Sequence, residues 1–237
     1  MALPKLNDMP MYPVIIPSTQ QEVRIRPFVV KEEKILLIAM ESQDPKQIAG
    51  AILDTIVSCT ENKVEPKSLT AYDVEYMFMQ IRGKSVGETS TINLACDKCE
   101  ERNEVKINIS DIKINSKIPE SRITLTDKII VEMKPPSYMQ IAQSEKILGE
   151  NSNATDRLFG LIIEFMDAVL TDDERIAIND IPHEEAIEFL ESMTSDQFGK
   201  IREYIENQPM LKHEVDYDCE NCGHHNNIRL EGLQDFF

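Results

Sequence analysis

Ala95-Cys96-Asp97-Lys98-Cys99-Glu100 and Asp218-Cys219-Glu220-Asn221-Cys222-Gly223 are two CxxC turns almost half the chain apart, and their reading decides the fold. Two thiolates separated by two residues reach one ion from a single tight turn, and two such turns complete a tetrahedral set of four. The separation exceeds that of a compact zinc ribbon, so either the turns share one ion or each needs other ligands. His224 and His225 follow the second turn and could ligate, nothing equivalent follows the first, and the spacing leaves their role open. A redox CxxC opens a helix after a strand, whereas strand-like segments flank both turns here. The residues therefore point to one structural zinc per chain, held by Cys96, Cys99, Cys219 and Cys222. The odd total of 5 Cys argues against a disulfide framework. The remaining thiol, Cys59, ends an apolar helical stretch and reads as a small core residue.

Outward from the turns, the flanking segments alternate as half-buried hairpins do: Thr91-Ile92-Asn93-Leu94 with Val105 to Ile109, and Val215-Asp216-Tyr217 with Ile228-Arg229-Leu230. An opening hairpin is expected from Val14-Ile15-Ile16 and Val23-Arg24-Ile25-Arg26. Helices follow over Val30 to Glu41, from Pro45 with Ile48, Ile52 and Ile56 on one face, and from the cap Thr70-Ala71-Tyr72-Asp73. The second half repeats this order. Ile123-Thr124-Leu125 and Ile129 to Met133 form a hairpin, and helices are expected over Tyr138 to Leu148, Ala154 to Leu170, Pro182 to Met193 and from the capping box Thr194-Ser195-Asp196-Gln197. Val23-Arg24-Ile25-Arg26-Pro27 against Val131-Glu132-Met133-Lys134-Pro135, and one CxxC against the other, favour a duplication over convergent ordering. The expected fold is α+β: two similar units, 1–118 and 119–237, each with a hairpin, a helical middle and a knuckle hairpin, joined by one shared zinc.

The 25 Lys+Arg against 42 Asp+Glu give a net charge of −17, which opposes counterion-driven binding to DNA or RNA. The absence of Trp and the 6% aromatic content leave few stacking surfaces for bases. The longest apolar run found, Ile35 to Met40, is far below the ~20 residues of a bilayer span, and the opening residues lack a signal-peptide pattern. A soluble protein made in the cytoplasm is expected. No GxSxG or HExxH motif occurs. Gly83-Lys84-Ser85 looks like the end of a phosphate loop, but Phe78 stands where the loop's first glycine would be, which rejects nucleotide binding. No enzyme activity and no small-molecule substrate are expected.

Arg26-Pro27-Phe28-Val29-Val30-Lys31-Glu32-Glu33-Lys34-Ile35-Leu36-Leu37, Arg82-Gly83-Lys84-Ser85-Val86-Gly87-Glu88, the first CxxC hairpin and the ending Gly232-Leu233-Gln234-Asp235-Phe236-Phe237 resemble the baseplate hub and hub-assembly proteins of T-even-type contractile-tailed bacteriophages. The resemblance implies a non-enzymatic interaction protein of hub assembly, either a hub subunit or an assembly factor. Its partners would be other hub proteins, and its place the host cytoplasm during assembly or the virion tail baseplate. Two alternatives are a chaperone of the tail tape-measure protein and, from another class, a zinc-ribbon nucleic-acid binder. Candidate partner-binding residues are Lys31, Glu32, Glu33 and Lys34 as a charged helix face, Arg82 and Lys84 as a loop, and Leu233, Phe236 and Phe237 as an apolar terminal plug. Each has a plain structural reading beside it: a solvated helix turn, a helix-ending turn and a local core contact.

Overall fold

The computed structural model describes residues 9–115, 118–147 and 154–233. In chain order it contains β1 (Tyr12–Ile15), β2 (Glu22–Ile25), α1 (Val30–Ser42), α2 (Pro45–Cys59), α3 (Ala71–Val86), β3 (Thr89–Ala95), β4 (Arg102–Asn108) and β5 (Lys113–Asn115). Then come β6 (Arg122–Thr126), β7 (Ile129–Met133), α4 (Tyr138–Ile147), α5 (Ala154–Phe165), β8 (Met166–Leu170), β9 (Arg175–Ala177), α6 (His183–Glu191), α7 (Ser195–Glu206), β10 (Met210–Asp218) and β11 (His225–Glu231). The fold is α+β, with small antiparallel sheets.

These elements form two compact units, residues 1–116 with 210–237 and residues 117–209. The first boundary lies close to the expected one, but the C-terminal hairpin belongs with the N-terminal elements and not in a unit spanning 119–237. The physical reason is strand pairing across the long gap: Leu211 in β10 lies opposite Ile114 in β5, and Met210 opposite Asn115. Both knuckle hairpins therefore lie in one unit, where the expectation put one in each. Residues 117–209 enter as an insertion between two paired strands.

In the first unit, local chemistry sets the helix starts. The Asp44 side chain accepts from the Lys46 N–H with Pro45 in the first turn, and Thr70 and Asp73 exchange the bonds of a capping box. Asp73 also accepts from the Ser18 N–H at 2.8 Å, tying the first hairpin's turn to α3. Ile25, Ile56, Leu69, Val74, Met77, Met79, Ile81 and Leu211 are fully buried, as is Cys59, whose thiol burial pushes up to about 11. Helix α3 runs through Gly83, where a Cβ would sit 3.4 Å from Ile109, so the helix ends later than the glycine suggests, at Gly87.

Glu75 on α3 accepts the N–H groups of Leu211 and Leu233, and Gly232, at φ +72°, passes so close that a Cβ there would lie 3.3 Å from Glu75 Oε1. Burial pushes the Glu75 carboxyl up to about 7 against those two hydrogen bonds. A carboxyl raised above its unfolded value contributes stability that is fully present below about pH 4.5 and lost as pH rises through about 7. Denaturation of wild type and Glu75→Gln across that window should show a fall of about 3 kcal/mol in wild type that the variant lacks. Parallel curves would refute it.

In the second unit, the sheet order β6-β7-β8-β9 packs Val131, Met133 and Met166 against Ile162, Leu190, Ile201 and Tyr204 of the helices. The stretch Ala154 to Leu170, expected as one helix, breaks at Phe165, and Met166–Leu170 becomes an inner strand between β7 and β9. A central strand is apolar almost continuously, and in so short a run that pattern cannot be told from a buried helix by period. Helix α7 starts at the expected capping box of Thr194 and Gln197. The expected end of α4 at Leu148 lies outside the described residues.

Candidate metal centre

Each knuckle is a tight turn at the end of a hairpin. The Cys96 N–H donates to the Glu101 carbonyl and the Glu100 N–H to the Cys96 carbonyl, both at 2.9 Å; the second knuckle repeats this with Cys219 N–H to His224 and Gly223 N–H to Cys219 at 2.9 and 2.8 Å. Closing the turn needs a left-handed residue just after the second cysteine. Gly223 takes it at φ +67°, and Glu100, a residue with a Cβ, takes the same conformation at +60°.

The four thiols converge. Cys96 Sγ lies 3.8 Å from Cys222 Sγ and Cys99 Sγ lies 3.6 Å from Cys219 Sγ, two close pairs that run between the hairpins, and all four sulfurs fall within 4.8 Å of one another. A tetrahedral ion with metal–sulfur bonds of about 2.3 Å has sulfur–sulfur edges of about 3.8 Å. The cluster fits a tetrahedral metal ion in both donor chemistry and spacing. Backbone N–H groups point at the sulfurs, with Lys98 N–H 3.4 Å from Cys96 Sγ. The Cys222 N–H leads the interactions that hold the Cys219 thiol down at about 6. At Cys222 the His224 N–H favours the thiolate, but burial and the neighbouring thiols Cys99, Cys219 and Cys96 outweigh it and push the thiol up to about 12. Four sulfurs so close cannot all ionise without a cation among them.

Neither histidine joins the set. The His225 ring nitrogen Nδ1 lies 2.8 Å from Asp218 Oδ1, on the charged outer face of β10 and β11, and His224 contributes its backbone carbonyl to the turn. Two asparagines that the sequence reading passed over stand beside the cysteines instead. Asn103 Oδ1 accepts from the Glu220 N–H at 2.9 Å, and Asn226 Oδ1 accepts from the Asp97 N–H at 3.0 Å. Each follows its knuckle's second cysteine by four residues, a shared spacing that was visible in the sequence. The Tyr217 hydroxyl completes the clasp by donating to the Ala95 carbonyl at 2.8 Å.

The candidate partner residues fall into two groups. Lys31, Glu33 and Lys34 are exposed on α1, beside the exposed apolar side chains Val30, Ile35, Leu37, Ile38 and Met40. Glu32 is buried: it pairs with Arg26 at 2.8 Å, accepts from the Val29 N–H and from Ser58, and these bonds hold its carboxyl down at about 2 against the effect of burial. Arg82 is half-buried against Ser90, Lys84 pairs with Glu88 at 2.7 Å above the Tyr12 ring, and Leu233 is buried. Glu32 and Leu233 are thus part of the fold's interior and not of an outer face. Phe236 and Phe237 lie outside the described residues.

Among the described residues no helix is long and apolar enough to cross a membrane. No curated protein and no solved structure matches the chain. A family model described as T4 bacteriophage base plate protein matches residues 9–237, which include both knuckles, α1 and the inserted unit. By a match over nearly its whole length, the chain belongs to the T4 bacteriophage base plate protein family.

Proposed function

We propose that the chain is a non-enzymatic component of baseplate hub assembly, in which one zinc staples the two knuckle hairpins and so fixes a rigid body for other baseplate proteins to dock on. The observation that carries this reading is the convergence of four thiols, from two turns almost half the chain apart, in a chain that matches a baseplate family over residues 9–237. Zinc suits a closed set of four thiolates because it needs no open coordination position and has no redox chemistry to control. Its chemistry at the site would be structural, linking Cys96 and Cys99 to Cys219 and Cys222.

The surface proposed for a partner is the outer side of α1. Val30, Leu37 and Ile38 are 78%, 56% and 55% exposed, with Lys31, Glu33 and Lys34 around them. The occupant is another hub protein presenting an apolar helix edged with polar groups. The same apolar helix on an acidic body is what a tape-measure chaperone would need, and that is the second reading. Against nucleic acid stand the net charge of −17 and the pairing of Arg122 and Arg175 with Glu132 and of Lys134 with Asp167.

Leu37→Glu with Ile38→Glu tests the docking surface. Exposed substitutions of this kind change stability by about 0.5 kcal/mol or less, so the variant should melt as wild type does, yet fail to complete hubs when it replaces the wild-type gene in the phage. Normal hub completion would reject the surface. Mass spectrometry of purified virions separates the two readings, since a hub subunit stays in the particle and a chaperone leaves it.

A further inference from the structure

The geometry points to Asn103 and Asn226 as a reciprocal pair of positioning residues for the four-cysteine centre, each fixing the opposite hairpin's thiolate turn. This inference rests on the reading of that centre as a metal site. The two amides do the same work in mirrored places. Asn103 Nδ2 donates to the Glu101 carbonyl of its own knuckle at 2.9 Å while its Oδ1 receives the Glu220 N–H of the other. Asn226 Nδ2 donates to the His224 carbonyl at 2.9 Å while its Oδ1 receives the Asp97 N–H. Both side chains are almost fully buried, at 4% and 1% exposure.

The bond each amide receives comes from the residue directly after a knuckle's first cysteine. Holding the N–H of Asp97 fixes the plane of the Cys96–Asp97 peptide, and holding the N–H of Glu220 does the same for Cys219. That plane constrains the backbone from which each of those cysteines projects its sulfur, leaving the side-chain rotamer to complete the aim. Each hairpin therefore aims a thiol of its partner, and the spacing of the sulfurs is held by protein groups before an ion arrives. A side chain must donate at one end and accept at the other across one short span to do this, which an amide does and a hydroxyl or carboxylate does not. Metal sites owe much of their affinity to such outer partners, whose loss costs about 10- to 100-fold.

One difference between the two makes the inference testable. Asn103 Nδ2 also lies 3.7 Å from Cys219 Sγ, whereas among the described residues Asn226 Nδ2 donates to the His224 carbonyl alone. An N–H aimed at a thiolate withdraws charge from the sulfur and changes the energy at which it transfers an electron to a bound metal.

The experiment uses the full-length chain as wild type, Asn103→Ala, Asn226→Ala and Asn103→Asp. Each is titrated with zinc and with cobalt(II) against a chromophoric chelator, and the cobalt spectra and metal-free melting curves are recorded. Both alanine variants should bind about 10- to 100-fold more weakly, and the thiolate-to-cobalt band should move when Asn103 is replaced but stay in place when Asn226 is. Asn103→Asp keeps the acceptor for the Glu220 N–H and loses the donors, so it should shift the band as well, and it supplies the comparison if Asn103→Ala does not fold. Folded variants with unchanged affinity and unchanged spectra would overturn the inference. So would affinity losses matched by an equal loss of metal-free stability, which is a purely structural effect. A wild-type chain that binds neither metal would instead overturn the metal reading itself, and the inference with it.

Discussion

Cys219→Ser in the full-length chain should release the metal and loosen both knuckle hairpins together, although only the second carries the change. Each CxxC turn supplies two of the four sulfurs, and sulfurs of the two hairpins approach one another to 3.8 and 3.6 Å. An ion bound by three thiolates and a hydroxyl loses both bond strength and the cross-link, because binding free energy at a structural site is also folding free energy. With free zinc at a thousand times its dissociation constant, the stabilisation removed is about 4 kcal/mol. Hydrogen exchange should therefore rise in β3 and β4 as well as in β10 and β11, while α5, α6 and α7 of the inserted unit keep their protection. Elemental analysis should give one equivalent of zinc for wild type and much less for the variant. Faster exchange confined to β10 and β11, or two equivalents of zinc in wild type, would mean that the turns bind separately.

How much of this was legible in the sequence follows from the range of the interactions involved. Thr70 with Asp73 and Thr194 with Gln197 mark helix starts because a capping box is closed within four residues, and both were read correctly. The CxxC turns were legible for the same reason, and the structure brings the four sulfurs they carry within 4.8 Å of one another. Strand β5 was not legible: it has three residues, and its partner in β10 lies on the far side of the inserted unit. That missed pairing is why the terminal hairpin was assigned to the wrong unit. Glu32 looked solvated within Lys31-Glu32-Glu33-Lys34, but one face of α1 turns inward at Glu32, Leu36 and Ala39, and Arg26 waits there. The signature around Arg26 and Glu32 thus marks an internal ion pair joining the residue after β2 to α1 and α2, with Ser58 as its third member.

Removal of residues 117–209 should leave a chain that still folds and still binds one metal ion. In most proteins, deleting so long a central segment would destroy the core. Here the segment leaves and returns at neighbouring points, since Asn115 and Met210 are direct partners across an antiparallel ladder. Paired residues in such a ladder have Cα atoms only about 5 Å apart, a gap that a two-residue Asn-Gly turn in place of Ser116 closes with the twist a hairpin prefers. The joined strands β5 and β10 would then form a simple hairpin continuing into β11. The buried residues of the first unit, Ile25, Ile56, Met77 and Leu211, all remain, and so do the four cysteines and the Glu75 contacts with Leu211 and Leu233. The core of the removed part, built from Val131, Ile162, Leu190 and Ile201, is its own. The shortened protein should unfold in one cooperative transition and take up one equivalent of zinc or cobalt. The alternative division, with a second unit spanning 119–237, makes the opposite forecast: the deletion would strip the terminal knuckle of its supporting body and leave two turns with no common scaffold. An aggregated or metal-free product would favour that division, whereas a folded, metal-binding one would identify residues 117–209 as a module inserted into a complete smaller protein.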